Sequence, residues 1–188
     1  MPTIGQAVPD GTYQAYHRQE VQPITLQSYR GRWLVLVFYP GDFTFICPTE
    51  LEELASLYDD FQKLDAEVLS ISTDSVFVHK AWHDTSPSIK GLPFPMVADP
   101  GGRLAQRLGV YIHEEGVALR GSFIFDPDGA LSAYEVHHNS IGRDMHELLR
   151  KLQAAAFVRE NGGVEVCPVG WKPGERTLKP SLDLVGKI

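Results

Sequence analysis

The chain is poor in cysteine: its 188 residues hold two, Cys47 and Cys167. Folding therefore does not rest on a set of disulfide staples. None is needed at this length, since a domain of roughly 150 residues already buries about two-thirds of its unfolded surface. Long apolar runs are missing as well. The longest, Trp33 to Tyr39, falls far short of the roughly 20 residues of a membrane helix. The opening residues, MPTIGQAVPDGTYQAYH, lack the basic start and apolar stretch of a secretory signal, so a cytoplasmic location without membrane contact is expected. Basic residues are outnumbered, 17 Lys and Arg against 24 Asp and Glu for a formal net charge of -7. That balance removes the clustered cations through which nucleic acid is held non-specifically. Neither a glycine-rich phosphate loop nor a dinucleotide fingerprint is present, so no bound cofactor is expected. In a reducing compartment the two thiols are either idle and buried, as free cysteines commonly are, or a transient catalytic pair.

What is present is an alternation of strand and helix periods. Trp33 to Tyr39 is continuously apolar and stops at Pro40-Gly41, the pattern of a strand buried on both faces. From Leu51 the apolar positions Leu51, Leu54, Ala55, Tyr58 and Phe61 share one helix face. Val68 to Ser72 reads as a strand, Val76 to His83 as a short helix, Pro95 to Ala98 as a short strand and Arg103 to Leu108 as a short helix. Ser122 to Phe125 is a strand stopped by the turn residues Asp126-Pro-Asp-Gly129, and Ala130 to His137 returns as its antiparallel partner. The longest helix is expected from Asp144 to Arg159, with Met145, Leu148, Leu149, Leu152 and Ala156 inward and Asn161-Gly-Gly163 as its stop. Together these describe one α/β domain with a mixed sheet over residues 1–160. Residues 161–188, which hold Cys167 and Trp171 and have no periodicity, are expected to form a C-terminal arm.

Cys47 stands where the loop after the first buried strand becomes a helix. Pro48 has no amide hydrogen and a preset φ suited to a first turn, and Glu50 and Glu52 place acids at the positive helix end. This puts Cys47 at the N-cap, where free amides stabilise a thiolate. Ionisation alone does not make a catalyst. Turning a few per cent of thiolate into nearly all of it gains about thirtyfold, roughly 2 kcal/mol, whereas enzymes supply at least about 8 kcal/mol. Groups that hold the reacting partner must supply the rest. Thr44 carries a hydroxyl able to donate, Pro40 can shield the thiol from water, and Arg120, just before the strand from Ser122, can reach the helix start in a βαβ arrangement. Each of these also has a plain reading, as a turn residue or an exposed strand flank.

Taken together, several segments are more specific. Pro40-x-x-x-Thr44-x-x-Cys47 within FYPGDFTFICPTEL, and Gly163-Val-Glu-Val-Cys-Pro168 with Trp171-Lys172, resemble the peroxiredoxins, specifically the typical two-cysteine class. His79-Lys-Ala-Trp82, Phe123-x-Phe-Asp-Pro-Asp-Gly129, Ile141-Gly-Arg143 and the tail PSLDLVGKI resemble the bacterial alkyl hydroperoxide reductase C group of that class. The resemblance covers nearly the whole chain. It implies a thioredoxin-like fold, a mixed central sheet flanked by helices, and a thiol-specific peroxidase that reduces hydrogen peroxide and organic hydroperoxides in antioxidant defence. It gives Cys47 the role of peroxidatic nucleophile, Thr44 and Arg120 those of positioning the peroxide and stabilising its transition state, and Pro40 that of loop shield. Glu50 matches the acid that holds the active-site arginine, and Arg143 a second family arginine near the site. Cys167 matches the resolving cysteine, which in this class attacks from the partner subunit. The resulting intersubunit disulfide is reduced by a dithiol reductase, either a flavoprotein drawing on NADH or a thioredoxin-like protein. A homodimer, assembled as a pentamer of dimers, is implied.

In keeping with a resolver elsewhere, Cys47-Pro-Thr-Glu50 lacks the second cysteine of a Cys-x-x-Cys pair. Since a disulfide needs Cα atoms within about 7 Å, local unwinding near Cys47 is expected, with Asn161-Gly-Gly163 as a hinge. Gly41 stands where the family often has a larger residue and Ile46 where it often has Val. The Gly-Gly-Leu-Gly insertion and Tyr-Phe tail of overoxidation-sensitive members are absent, which implies a robust enzyme.

Other signals compete. His79 and His83, four apart on a helix, form a possible metal face, but Lys80 stands where a zinc-protease motif needs Glu and no third ligand is suggested, so structural or surface histidines are expected. His137 and His138 are expected to be solvated or at a subunit contact. Phe77, Val78 and Trp82 are either core or a contact between dimers. An oligomeric holdase or peroxide-sensing relay is the alternative from another functional class, and a thiol-disulfide oxidoreductase is a third, disfavoured by the missing Cys-x-x-Cys.

Overall fold

The computed structural model describes residues 2–187 and divides the chain into two compact units, Met1–Met145 and His146–Ile188. The first unit contains strands β1 (Thr12–His17), β2 (Glu20–Thr25), β3 (Trp33–Phe38), β4 (Ala66–Ser72), β5 (Met96–Ala98), β6 (Tyr111–Ile112), β7 (Val117–Ala118), β8 (Arg120–Phe125) and β9 (Leu131–His137). Its helices are α1 (Cys47–Ser56), α2 (Tyr58–Lys63), α3 (Val76–Thr85) and α4 (Arg103–Arg107). Seven strands form one sheet in the order β2-β1-β5-β4-β3-β8-β9, and β6 and β7 form a separate ribbon. β3 is buried at every residue, as its unbroken apolar run requires, and lies between β4, which runs parallel to it, and β8, which runs antiparallel. The sheet is therefore mixed, and helices flank it: α2 packs on β4, and α3 on β1 and β5. Leu34, Leu36 and Phe38 of β3 join Leu69, Ile71, Phe123, Phe125 and Leu104 in the apolar core, where each such side chain contributes roughly 1.5–3 kcal/mol of transfer free energy.

Two features depart from the sequence pattern. Of the expected helix face, Leu51, Leu54 and Phe61 are buried while Ala55 and Tyr58 are half-buried, because the backbone breaks at Leu57, itself buried, into α1 and α2. The β1-β2 hairpin has no turn signal at all. Its loop residues Arg18 and Gln19 adopt φ of 51° and 67°, the left-handed conformation that two-residue hairpin loops need and that Asn or Gly normally supplies.

The topology fixes where the site lies. β3 runs into the loop that precedes α1, and the β3-β8 register pairs Val37 with Ser122. Arg120, two residues before Ser122, is thereby level with the end of β3. The β8-β9 register pairs Arg120 with His137, which brings the chain just after β9 to the same edge.

The longest helix, α5 (Met145–Glu160), leads into the second unit. It stops where expected, with Gly162 and Gly163 at φ of 64° and 76°, a conformation that side chains with a Cβ resist. The residues beyond have their own order. Trp171 packs on Phe157 with ring centroids 5.0 Å apart, its Nε1 donates to the Glu175 carbonyl at 3.2 Å, and Val166 bridges Leu178. Among the described residues no helix is long and apolar enough to cross a membrane.

Candidate active site

Cys47 is the first residue of α1, with Ile46 as N-cap and Pro48 in the first turn. The expected helix start is thus correct to within one residue, though Cys47 lies just inside the helix and not at the cap. Its side chain is fully buried. Glu50 follows one turn later on the same face and is also buried.

Around these two residues a cluster of fixed charges is assembled from distant parts of the sequence. Arg120 Nη1 donates to Cys47 Sγ at 3.4 Å and to Glu50 Oε2 at 2.8 Å, and its Nε donates to the Asn139 carbonyl at 2.9 Å. Arg143 grips the same carboxylate: its amide and Nε donate to Glu50 Oε1 at 2.8 and 3.0 Å, and its Nη2 donates to Oε2 at 2.8 Å. Arg143 Nη1 donates to the Gly121 carbonyl and the Ser122 hydroxyl at 3.0 and 3.1 Å. One buried carboxylate therefore orients two buried guanidiniums and leaves one positive charge uncompensated beside the sulfur. Burial pushes the Glu50 carboxyl up, but its bonds to Arg143 and the charges of Arg143 and Arg120 outweigh that and hold it below the usual carboxylate range.

The loop between β3 and α1 forms the wall of a cleft of about 500 Å³, which Pro40, Thr44, Cys47 and Arg120 all line. Thr44 is exposed, and its hydroxyl donates to the Gly41 carbonyl at 2.9 Å. It is thus committed to its own loop, with its oxygen lone pairs left to accept. The loop is pinned by a network in which only His79 was singled out from the sequence, and there without its partners. Buried Asp42 accepts from the Tyr39 hydroxyl at 2.8 Å, lies 2.7 Å from His79 Nδ1, and offers its amide to Asp74 at 2.9 Å. Burial, opposed by His79, keeps the Asp42 carboxyl above its ordinary range. His79 is thus a buried structural histidine. The Asn139 carbonyl that holds Arg120 also escaped sequence reasoning, because a main-chain acceptor has no residue signature.

Cys167 lies in the second unit, half-buried, with its Sγ 3.9 Å from the Ala154 carbonyl. Burial pushes its thiol up, against the opposing charge of Arg150. Of the aromatic group on α3, Trp82 is buried while Phe77 is 77% exposed, and Phe45, beside the cleft, is 92% exposed. Phe43, also exposed, leans on Trp82 with centroids 6.1 Å apart.

Comparison with known proteins follows the same lines. Residues 4–134 match the AhpC/TSA family, and residues 156–187 match the C-terminal domain of 1-Cys peroxiredoxin, over a stretch that in this chain carries Cys167. The selenocysteine-containing peroxiredoxin PrxU of Peptoclostridium acidaminophilum is 48% identical over all of this chain and 94% of its own length. Alkyl hydroperoxide reductase C of Pseudomonas aeruginosa is 47% identical over the full length of both. Among solved structures, Enterococcus faecalis AhpC superposes with a TM-score of 0.86 at 43% identity, over 89% of this chain and 100% of its own. The reduced Plasmodium vivax 2-Cys peroxiredoxin superposes with a TM-score of 0.91 at 29% identity, over 97% and 96%.

Proposed function

The chain belongs to the AhpC/TSA family and is a peroxiredoxin of the alkyl hydroperoxide reductase C type, and from that premise we propose how its own residues reduce peroxides. The Cys47 thiolate attacks the terminal oxygen of a hydroperoxide. The S–O bond forms as the O–O bond breaks, the terminal oxygen stays on sulfur as a sulfenic acid with its own proton, and the other oxygen leaves as hydroxide or alkoxide and takes up the proton that the thiol gave up on ionising, as water or alcohol. Arg120 donates to the oxygens as charge moves across them, Thr44 orients the peroxide hydroxyl, and Pro40 keeps bulk water from the sulfur. Glu50 and Arg143 act through Arg120, as positioning residues. The observation that carries this reading is the 3.4 Å contact from Arg120 Nη1 to Cys47 Sγ, made by a guanidinium that Glu50 and Asn139 already hold in place. A donor fixed before reaction costs no reorganisation as charge develops.

The cycle closes when Cys167 of a partner subunit condenses with the sulfenic acid, forming the disulfide and releasing water before further oxidation. A dithiol reductase, either an NADH-dependent flavoprotein or a thioredoxin-like protein, then supplies two electrons and two protons and restores both thiols. Reaching the buried Cys47 requires the first turn of α1 to unwind and the arm of residues 161–188 to move about Asn161-Gly-Gly163. The working unit is a homodimer, assembled as a pentamer of dimers in the cytoplasm, and the exposed Phe43 and Phe77 supply apolar surface for the contact between dimers. Non-reducing electrophoresis after one equivalent of hydrogen peroxide tests the scheme. A covalent dimer band is expected for the native chain and for neither Cys47→Ser nor Cys167→Ser; a band that survives in either variant rejects this pairing.

A further inference from the structure

The charges that line the cleft over Cys47 are unevenly distributed. Cys47 and Arg120 line it, and Arg120 is paired with Glu50, which also holds Arg143. The other ionised groups on the lining are Asp74 and Glu115, both carboxylates, and among the described residues the cleft wall carries no second cation besides Arg120. Asp74 is anchored, since its Oδ2 accepts from the Asp42 amide at 2.9 Å and the Ser72 hydroxyl at 2.7 Å. Glu115 is exposed in the turn between β6 and β7.

We propose that Asp74 and Glu115 make the cleft select against peroxides that carry a negative charge, so that an uncharged alkyl hydroperoxide is reduced faster than its carboxylate-bearing counterpart. The inference rests on Cys47 being the peroxide-reducing thiol. A volume of about 500 Å³ corresponds to a space about 10 Å across, comparable to the Debye length of about 8 Å at physiological ionic strength. A carboxylate on a peroxide seated at Cys47 therefore stays within reach of both rim charges. Phe45, Ile46 and Val117 line the same cleft and give an uncharged alkyl group apolar surface.

The test compares 3-hydroperoxy-3-methylbutanoate with its methyl ester, two peroxides of similar shape that differ in charge. Peroxide consumption is followed with excess dithiothreitol as reductant, where kcat/KM for the peroxide in a ping-pong cycle is independent of the second substrate. In the native protein at low salt the acid-to-ester ratio of kcat/KM is expected to be about 0.1, a few-fold effect per rim charge. It should rise about threefold in Glu115→Gln and about tenfold in Glu115→Lys, and move toward one in the native protein at about 1 M salt, where the Debye length is about 3 Å. Because each ratio is taken within one variant, any loss common to both peroxides cancels. A native ratio near one, or a ratio unmoved by both substitutions, overturns the proposal while leaving the peroxidase reading intact. Ester turnover that persists in Cys47→Ser overturns both.

Discussion

The surroundings of Cys47 are charged, buried and fixed, whereas those of Cys167 are half-exposed and loosely held. Cys47 Sγ takes a donor from Arg120, and Glu50 ties that arginine to Arg143 through bonds of 2.8 to 3.0 Å. Cys167 makes one long contact to a carbonyl, and burial holds its thiol above its ordinary range. The difference matches the two tasks of the proposed cycle. A nucleophile gains from neighbours set in advance of reaction, while a resolver that must travel gains from having few bonds to break.

Removing the fixed side of this contrast has the largest expected effect. Cys47→Ser should reduce multi-turnover peroxide consumption to the uncatalysed background, whereas Cys167→Ser should still consume about one equivalent per subunit when no external thiol is present. Native-level turnover by Cys47→Ser would break the comparison outright. Next comes Arg120→Lys, which keeps the charge but loses the planar fork that serves Cys47, Glu50 and Asn139 together. By analogy with the loss of one transition-state donor, kcat/KM for peroxide is expected to fall about 100-fold. A fall of less than threefold in stopped-flow peroxide reduction would show that the arginine is not a preset donor.

Glu50→Gln tests whether the clamp itself is worth holding. Two buried guanidiniums would lose their shared anion, a change of the kind that costs about 3–5 kcal/mol, readable as a lower urea midpoint. The pH dependence has a definite sign. The folded Glu50 carboxyl titrates below its ordinary value of 4.5, so its stabilising contribution is complete above that value and is lost as pH falls through the folded one. The gap in stability between native protein and Glu50→Gln should therefore be full near neutrality and close in acid. Asp42 works oppositely: its carboxyl is raised from 3.8, so its burial costs stability as pH rises past that value. A gap that widened in acid would contradict the clamp.

How much of this was legible in the sequence depended on whether the cause was local. The run Trp33 to Tyr39, the turn at Asp126 to Gly129 and the glycines after α5 each carry their structural reason in adjacent residues, and each element lies within two residues of where it is expected. The β1-β2 hairpin was invisible because Arg18 and Gln19 take left-handed φ without being turn formers. At the site, Cys47, Glu50 and Arg143 could be named from recognisable motifs and Arg120 from its place just before a strand, and the fold brings all four into one bonded cluster. Thr44 could be named but its partner could not, since the Gly41 carbonyl belongs to the loop's conformation. Asn139 and the Asp42-His79 contact, which spans 37 positions, depend on strand register and loop packing that no single segment encodes.

The smallest expected effect probes the loose side of the contrast. Trp171 is the main anchor within the segment that carries Cys167: its ring lies 5.0 Å from Phe157, its Nε1 donates to the Glu175 carbonyl, and its own carbonyl accepts from Arg150 Nη1 at 3.1 Å. Trp171→Ala removes the aromatic contact, worth about 0.5–1.5 kcal/mol beyond the area it buries, and leaves the main-chain acceptor for Arg150. If Cys167 reacts from an opened arm, a change of about 1.4 kcal/mol in opening speeds its alkylation about tenfold. The rate with iodoacetamide, measured on a Cys47→Ser background so that only one thiol reports, should rise by that order. The second-order rate of Cys47 with peroxide, measured on the native-cysteine background, should change by less than about twofold, because none of its bonded neighbours belongs to the segment. An alkylation rate unchanged by the substitution would mean that Cys167 reacts without the arm opening, and the contrast would then lie in charge alone.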